Sequence, residues 1–164
     1  MRQAILLLMV AGLGPQGVVR ADDTPSARGT PLAFEVHSGY FVSNKFEPKA
    51  TESFVAITDQ AEFDKVFGVA MVMGDKSHRL AKDAFKSKLV VAAVKRGKAF
   101  WTYRVQQVTA REGVVQISYT ATAKKSASAS FACPLIVSIP KGKYVAVRFV
   151  ENKKAVKTVA IGKK

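Results

Sequence analysis

The sequence predicts an α+β domain in which a mostly antiparallel β-sheet of five to seven strands packs against one short helix. Beyond residue 88, apolar and polar residues alternate over short segments that are separated by turns containing glycine, lysine or proline. Such alternation is typical of antiparallel strands with one buried face. One upstream segment shows helical spacing instead. A helix followed by a run of strands favours an α+β fold, and a β-sandwich or small barrel is the alternative.

The helix is predicted to begin after Asp59, because Asp59 and Glu62 match the capping-box pattern of an N-cap acceptor and a glutamate three residues later. Three apolar residues then recur at the spacing of one helix face: Phe63, Val66 and Phe67. Gly68 follows as a stop signal. We expect this apolar face to pack on the sheet.

The strands are assigned from their alternation and from the turn residues between them. The first is predicted over 32–42, with Phe34 and Val36 on one face and Glu35 and His37 on the opposite, polar face. A second strand is predicted at 54–58 and a turn of helix at 80–85, and the segment 69–78 is left open between a loop, a short strand and an exposed contact patch. The remaining strands are predicted at 89–95, 99–108, 114–123, 135–139, 143–150 and 155–161. The apolar run Leu89–Val94 is typical of a central strand that is covered on both faces.

The N-terminus carries the pattern of a cleaved export signal. Residues 1–3 form a short n-region with one positive charge, on Arg2, residues 4–14 are apolar, and Val19-Arg20-Ala21 fits a cleavage site after Ala21. The apolar stretch is shorter than the roughly 20 residues of a membrane span. We predict a signal peptide over 1–21, a polar linker over 22–31 and a single domain over 32–164. The mature chain is expected in the periplasm or outside the cell, and not across a membrane.

The positive charge of the chain favours some classes of binding partner over others. The formal net charge is +14, and removal of Arg2 and Arg20 with the leader would lower it to +12. A strongly basic domain favours anionic partners such as acidic protein surfaces, envelope polymers and lipid headgroups. Nucleic acid is the partner least expected for an exported chain. The alternative is that the lysines serve solubility and protect sheet edges from aggregation.

A cluster of this charge follows if the last six strands run up and down as sequential neighbours. The turns at 96–98, 124–130 and 151–154 would then share one end of the sheet. The cations that meet there are Lys95, Arg96, Lys98, Lys124, Lys125, Lys153 and Lys154. The opposite end would hold Arg111, Lys141 and Lys143. We predict that the first end binds a partner, with Phe100 on the outward face of its strand as an aromatic contact.

The residues that usually carry chemistry are few. His37 and His78 are the two histidines, and neither lies in a spacing that metal ligands use. Cys133 is the one cysteine, so no internal disulfide forms, and its apolar neighbours indicate a buried, inert thiol. No nucleophile elbow, phosphate loop or dinucleotide fingerprint is present. We therefore assign no catalytic, cofactor-binding or metal-binding residue and predict that the protein is not an enzyme.

Residues 54–150 also show a family resemblance. The matching segments are Asp83-Ala84-Phe85, Leu89–Val94, Gly97, Tyr103-Arg104-Val105 and Pro134–Lys141. In order and type they resemble the PrcB-like C-terminal domain family, whose members are linked to secreted protease complexes and their stability. Phe100-Trp101-Thr102-Tyr103 departs from the Thr-Gly-Gly-Tyr element of that family, because both glycines are missing. A close backbone approach that depends on those glycines therefore does not carry over.

The resemblance implies an exported, non-catalytic accessory domain that binds a protein partner and stabilises a secreted or envelope protease complex. The charge pattern favours a second function, a stand-alone binder of anionic envelope polymers or lipid headgroups. A hydrolase with an unrecognised site is a third.

Overall fold

The computed structural model describes residues 29–70 and 78–162. The predicted signal peptide, most of the predicted linker and the segment 71–77 lie outside the described residues. Helix α1 spans Gln60–Val66, and a short 3₁₀ helix spans Ala84–Lys86. The strands are β1 (Thr30–Pro31), β2 (Glu35–His37), β3 (Tyr40–Val42), β4 (Glu52–Ile57), β5 (Phe67–Val69), β6 (Lys88–Gly97), β7 (Ala99–Arg111), β8 (Val114–Lys125), β9 (Phe131–Pro140), β10 (Ala146–Glu151) and β11 (Lys154–Ala160). Among the described residues, no helix is long and apolar enough to cross a membrane.

These strands form three sheets. The five-stranded sheet has the order β1-β7-β8-β10-β11, the four-stranded sheet has the order β2-β9-β6-β4, and β3 pairs with β5. The described part is thus mostly β with one short α-helix, which confirms the predicted α+β class, and it contains no closed barrel. The expectation of sequential neighbours is wrong, because β9 pairs with β6 in the second sheet and β10 pairs in parallel with β8.

The four-stranded sheet is the middle layer, with a hydrophobic core on each face. One core lies between the two large sheets and includes Val91, Ile117 and Phe149. The other lies under α1 and the small sheet and includes Val90 and the predicted helix face of Phe63, Val66 and Phe67. Consecutive residues of β6 point to opposite cores, as the two-residue period of a strand requires. The continuous apolar run of this strand is therefore explained by burial on both faces, as predicted.

The segment predicted as one strand over 32–42 is broken into two strands that join different sheets, and a further strand precedes it in the third sheet. Thr30 and Pro31, predicted as linker, pair with β7 as β1. β2 then joins the four-stranded sheet, and β3 joins the small one. Gly39 makes the second break possible because its φ of +79° lies in the left-handed region, which glycine adopts without a steric penalty.

Helix α1 begins at the predicted cap. The Asp59 side chain accepts a hydrogen bond of 2.9 Å from the backbone N–H of Glu62, and the Glu62 carboxylate accepts one of 3.4 Å from the N–H of Thr58. The C-cap is Phe67, so the stop predicted at Gly68 is confirmed to within one residue. The helix ends at Val66, and Gly68 belongs to β5, where a Cβ would overlap the ring of Phe41, its cross-strand partner.

Two hairpins are closed by tight turns in which both central residues have positive φ. Glu112 and Gly113 join β7 to β8, and Asn152 and Lys153 join β10 to β11. Paired positive φ values give a turn whose twist matches that of the strands it joins. These turns fall within the predicted turns at 111–113 and 151–154, and they fix which ends of the strands meet.

Candidate partner-binding site

The strand registers place three lysine-bearing turns at one end of the sandwich. Gly97 is opposite Phe131 across β6 and β9, and Ala99 is opposite Lys125 across β7 and β8. The Asn152 side chain bonds both backbone groups of Ala121 in β8, each at 3.2 Å. The change of sheet at β9 leaves this grouping intact, because successive strands from β6 to β11 still reverse direction. We call the surface formed by 96–98, 124–130 and 151–154 the basic end.

Five lysines of the basic end are exposed and make no ion pair within the described part of the chain. They are Lys98, Lys124, Lys125, Lys153 and Lys154. The surface has two levels, because Glu151 at the end of β10 is opposite Tyr119, and β8 continues for six more residues to Lys125. At about 3.3 Å per residue, that extension is roughly 20 Å long. Lys98, Lys124 and Lys125 therefore form an outer group, and Lys153 and Lys154 lie on a step below it.

Lys45 and Lys49 were missed by the sequence analysis. Both are exposed and lie in the loop before β4. Glu52 at the start of β4 is opposite Lys95 near the end of β6, so this loop also lies at the basic end. The residue pattern predicts that β4 is a strand, but it contains no information on which strand it pairs with. The pairing with β6 is what adds these two cations.

Lys95 does not belong to the exposed set, which corrects its predicted role. β6 extends to Gly97, so Lys95 shares the core-facing side of Val91 and is buried. Its Nζ lies 2.7 Å from Glu52 Oε1, 2.8 Å from Glu151 Oε1 and 4.4 Å from the centre of the Trp101 ring. Burial alone lowers the pKa of Lys95, but the hydrogen bonds and charges of Glu151 and Glu52 outweigh it and hold the pKa above its ordinary value.

Arg96 is also committed to contacts inside the chain. Its guanidinium donates to Ser53 Oγ at 2.7 Å, to the carbonyl oxygen of Phe46 at 3.0 Å and to that of Ala50 at 3.4 Å. These bonds attach the loop before β4 to the end of β6. Arg96 is thus partly buried and acts as a support for the loop, not as the exposed contact that the sequence predicts.

Two tyrosines complete a polar layer beneath the basic end. Tyr119 Oη donates to Glu151 at 3.1 Å, and Tyr103 Oη donates to the carbonyl oxygen of Cys133 at 2.9 Å. Burial, followed by nearby groups such as Cys133 at Tyr103 and Glu151 at Tyr119, raises the pKa of both phenols far above their ordinary value. Both therefore stay protonated as donors at neutral pH, and this layer closes the core between the two large sheets.

Phe100 lies where the sequence predicts an outward aromatic side chain. It remains 48% exposed and is paired with Lys124 across β7 and β8. Its ring packs edge-on against Phe131, with ring centres 5.5 Å apart. The outer lysine group is therefore next to an aromatic pair whose exposed member, Phe100, offers an apolar contact to a partner.

Elsewhere, a serine and a histidine lie close enough to raise the question of catalysis. His37 Nε2 is 2.8 Å from Ser138 Oγ, and Nδ1 is 3.1 Å from the carbonyl oxygen of His78. Because a carbonyl only accepts, Nδ1 carries the proton and Nε2 accepts from the serine. Ser138 is 1% exposed, so its hydroxyl is closed to a substrate in this structure. Burial is the largest cause that lowers the pKa of His37.

The prediction that His37 lies on an exposed polar face is wrong. His37 is 8% exposed, whereas Val36 is 45% exposed, so the strand presents the opposite face to the core. Cys133 is buried as predicted, and its Sγ accepts a hydrogen bond of 3.3 Å from the backbone N–H of Trp101. No group of three or more histidine, cysteine or acidic residues able to hold a metal ion occurs among the described residues.

Comparison of the chain with protein-family models, with curated proteins and with solved structures gives no match. The resemblance to the PrcB-like C-terminal domain family therefore stays a prediction.

Proposed function

We propose that this chain is an exported, non-catalytic accessory domain that binds an acidic protein surface through its basic end. The observation that supports this most is the set of five exposed lysines at one end of the sandwich that form no ion pair with any residue the structure describes. Uncompensated charge on one surface raises the rate at which an oppositely charged partner arrives. A protease complex is the partner that the family resemblance implies.

The aromatic pair of Phe100 and Phe131 favours a protein partner over a lipid or a simple polyanion. Protein interfaces combine a small desolvated centre, in which aromatic residues are enriched, with a charged rim. Phe100 and Phe131 supply such a centre next to Lys98, Lys124 and Lys125. Lys153 and Lys154 on the lower step extend the charged rim on one side, which fits a partner with a contoured acidic surface.

Two triple variants with the same change in net charge test the surface. Lys98, Lys124 and Lys125 are changed to Glu in one, and Arg111, Lys141 and Lys143 at the opposite end in the other. Binding to immobilised poly-L-glutamate, an acidic polypeptide, is measured at low and at physiological salt. We expect the first variant to lose most of its affinity and the second much less, and binding to fall with salt because exposed charges are screened over about 8 Å. Equal losses would reject a local site.

The kind of partner is tested separately by a photo-crosslinking residue at position 100 in the intact exporting cell. A single acidic protein should be captured at position 100 and not at position 143, and the triple substitution at the basic end should abolish that product. Vesicles that contain anionic phosphatidylglycerol are the comparison for the lipid alternative. Tight vesicle binding that is unaffected by Phe100→Ser, together with no protein crosslink, would assign the basic end to lipid headgroups and contradict the proposal.

Export is tested by N-terminal sequencing of the mature protein. The cleavage pattern predicts a first residue at or within a few positions of Asp22. A protein outside the cytoplasm that still begins with Met1 would contradict the signal peptide.

A further inference from the structure

The outward face of the five-stranded sheet carries cations and neutral polar groups in a regular array. On β7 and β8, the outward positions between Phe100 and Lys124 hold almost only threonine, serine, glutamine and arginine. They include Thr102, Arg104, Thr109, Gln116, Thr120 and Thr122. No carboxylate occupies an outward position of β7, β8 or β10. The face begins at the basic end, next to Phe100 and Lys124, and extends along β7 and β8 to the opposite end of the sandwich.

A depression of about 520 Å³ lies on this face, near the end opposite the basic end. The register places Thr109, Gln116 and Arg148 in one row across three neighbouring strands, and all three line the depression. The irregularity between Val105 and Gln107 turns Gln107 into the same depression. Val114 supplies an apolar part of the lining, and Arg111 and Glu112 line its edge near the turn between β7 and β8.

The side chains in this row have unused hydrogen-bonding capacity. Arg148 and Gln107 are exposed and Thr109 is half-buried, and none of the three side chains makes an ion pair or hydrogen bond within the described part of the chain. Glu112, the one carboxylate at the rim, accepts from Arg111 Nε at 3.1 Å, which offsets its charge. A guanidinium fork binds a carboxylate through two parallel hydrogen bonds. Amide and hydroxyl side chains both donate and accept, as sugar hydroxyls do.

We propose that this depression binds an acidic polysaccharide, with Arg148 holding the carboxylate of one uronic acid unit. Thr109, Gln107 and Gln116 bind hydroxyl groups of the same or the next unit, and the C–H face of the ring packs on Val114. The charge complementarity of Arg148 on a face without free carboxylates selects an anionic chain. A protein partner is disfavoured because the lining has no aromatic residue to form the centre of an interface.

The probe is digalacturonate, and its affinity for the mature protein is measured by titration calorimetry at physiological salt. Arg148→Gln is the test variant, and Arg104→Gln is its matched control, because Arg104 is exposed on the same face but does not line the depression. Since hydrogen bonds to charged groups contribute about 1.5–3 kcal/mol, we expect Arg148→Gln to weaken binding about tenfold or more. Arg104→Gln should change it less than about twofold. The neutral methyl ester of digalacturonate should bind as weakly as digalacturonate binds Arg148→Gln.

Three results would overturn the proposal: no binding of digalacturonate at millimolar concentration, equal effects of the two arginine variants, or equal binding of the glutamate dipeptide. The outcome is separable from the proposed function. The triple variant at the basic end should bind digalacturonate within about a factor of two of the unchanged protein. Arg148→Gln in turn should leave binding to poly-L-glutamate unchanged.

Discussion

Lys95 and Glu151 form an ion pair of 2.8 Å that joins the two large sheets, because Lys95 belongs to β6 of the four-stranded sheet and Glu151 to β10 of the five-stranded sheet. Glu52 in β4 contacts the same ammonium from the other side at 2.7 Å. The Lys95 and Glu151 side chains are 8% and 11% exposed, and Glu52 is 46% exposed. One buried cation thus balances two carboxylates of which only one is well hydrated.

Replacing Lys95 with Met should destabilise the fold more than any other single change among the lysines of the basic end. The substitution leaves Glu151 buried without a cation, and loss of one partner of a buried pair costs about 3–5 kcal/mol. Because Glu52 is half-exposed, we expect about 2–3 kcal/mol, measured by urea unfolding. Lys98→Met is the control, since Lys98 is exposed and has no ion pair within the described residues. Its free energy of unfolding should stay within about 0.5 kcal/mol of that of the unchanged protein. Equal effects would contradict the role of Lys95 as a link between the sheets.

Stability should fall at alkaline pH because titratable groups of the polar layer beneath the basic end then lose their protons. The pKa values of Lys95, Tyr103 and Tyr119 are all raised in the folded chain. The folded state therefore keeps these protons above pH 10, where the unfolded chain loses them. The stabilisation that these raised pKa values add to the free energy of unfolding is complete below about pH 10 and is lost as the pH rises further.

Tyr119→Phe tests this, because it removes one of the three titrating groups. Between pH 10 and 11.5, the free energy of unfolding of the variant should fall less steeply than that of the unchanged protein, by up to about 1.4 kcal/mol per pH unit. At pH 7 the variant should be less stable by about 1 kcal/mol, because the hydrogen bond to Glu151 is lost. Identical slopes for the two proteins would show that Tyr119 ionises as freely as in the unfolded chain.

His37 should make stability sensitive to mild acid. Burial lowers its pKa, although its contact with the His78 carbonyl and the charge of Glu35 act in the opposite sense. The folded chain thus holds His37 neutral where the unfolded chain protonates it. The contribution of neutral His37 to the free energy of unfolding is complete above about pH 6.5. It is lost as the pH falls through the lower pKa that His37 has in the folded chain.

His37→Gln should flatten the pH dependence of unfolding between pH 7 and 5, measured by urea titration at each pH. Glutamine can still reach Ser138, so the packing at this site is largely kept. Proton NMR of the His37 ring gives a second measurement, with an expected midpoint below 6.5. A midpoint above 6.5 would remove the physical basis of this prediction.

Cys133 should react slowly with a thiol reagent in the native protein. Its side chain is buried, and its Sγ accepts the N–H of Trp101. Reaction with a disulfide reagent at pH 7.5 requires the thiol to reach solvent, so the rate should rise at least about a hundredfold in denaturant. Native labelling as fast as in denaturant would place the thiol at the surface.

Local patterns were enough to predict the elements whose environment repeats along the chain. The alternation of Trp101, Tyr103 and Val105 predicts one side of β7, and the cap at Asp59 predicts the start of α1. Lys95 was misassigned because an uninterrupted apolar run such as Leu89–Val94 gives no sign of which residues face which core. Its burial follows only from the length of β6 and its position opposite Glu52.

Long-range pairing is the part that the sequence does not encode locally. β9 looks like any apolar strand, and nothing in its residues states that it pairs with β6 and leaves β8 next to β10. The faces of β2 were inverted for a related reason. Val36 is exposed and His37 buried, because the hydrogen bond between His37 and Ser138 of β9 replaces an apolar contact. The predicted turns were enough to identify most of the candidate site. Lys45 and Lys49 were not predicted, because the pairing of β4 with β6 that brings them there does not follow from the residue pattern.

The three-way division of the first strands sets the order in which the chain can fold. The cross-strand partner of Thr30 is Ala110, that of Val36 is Val137, and that of Phe41 is Gly68. The earliest part of the domain thus finds its last partner about a hundred residues later, and such long loops slow the search for native pairs. The β2 edge of the middle layer cannot form until β9 is available to pair with β2. Until β9 is available, the strand edges of the middle layer are open to chaperones, proteases and other copies of the chain.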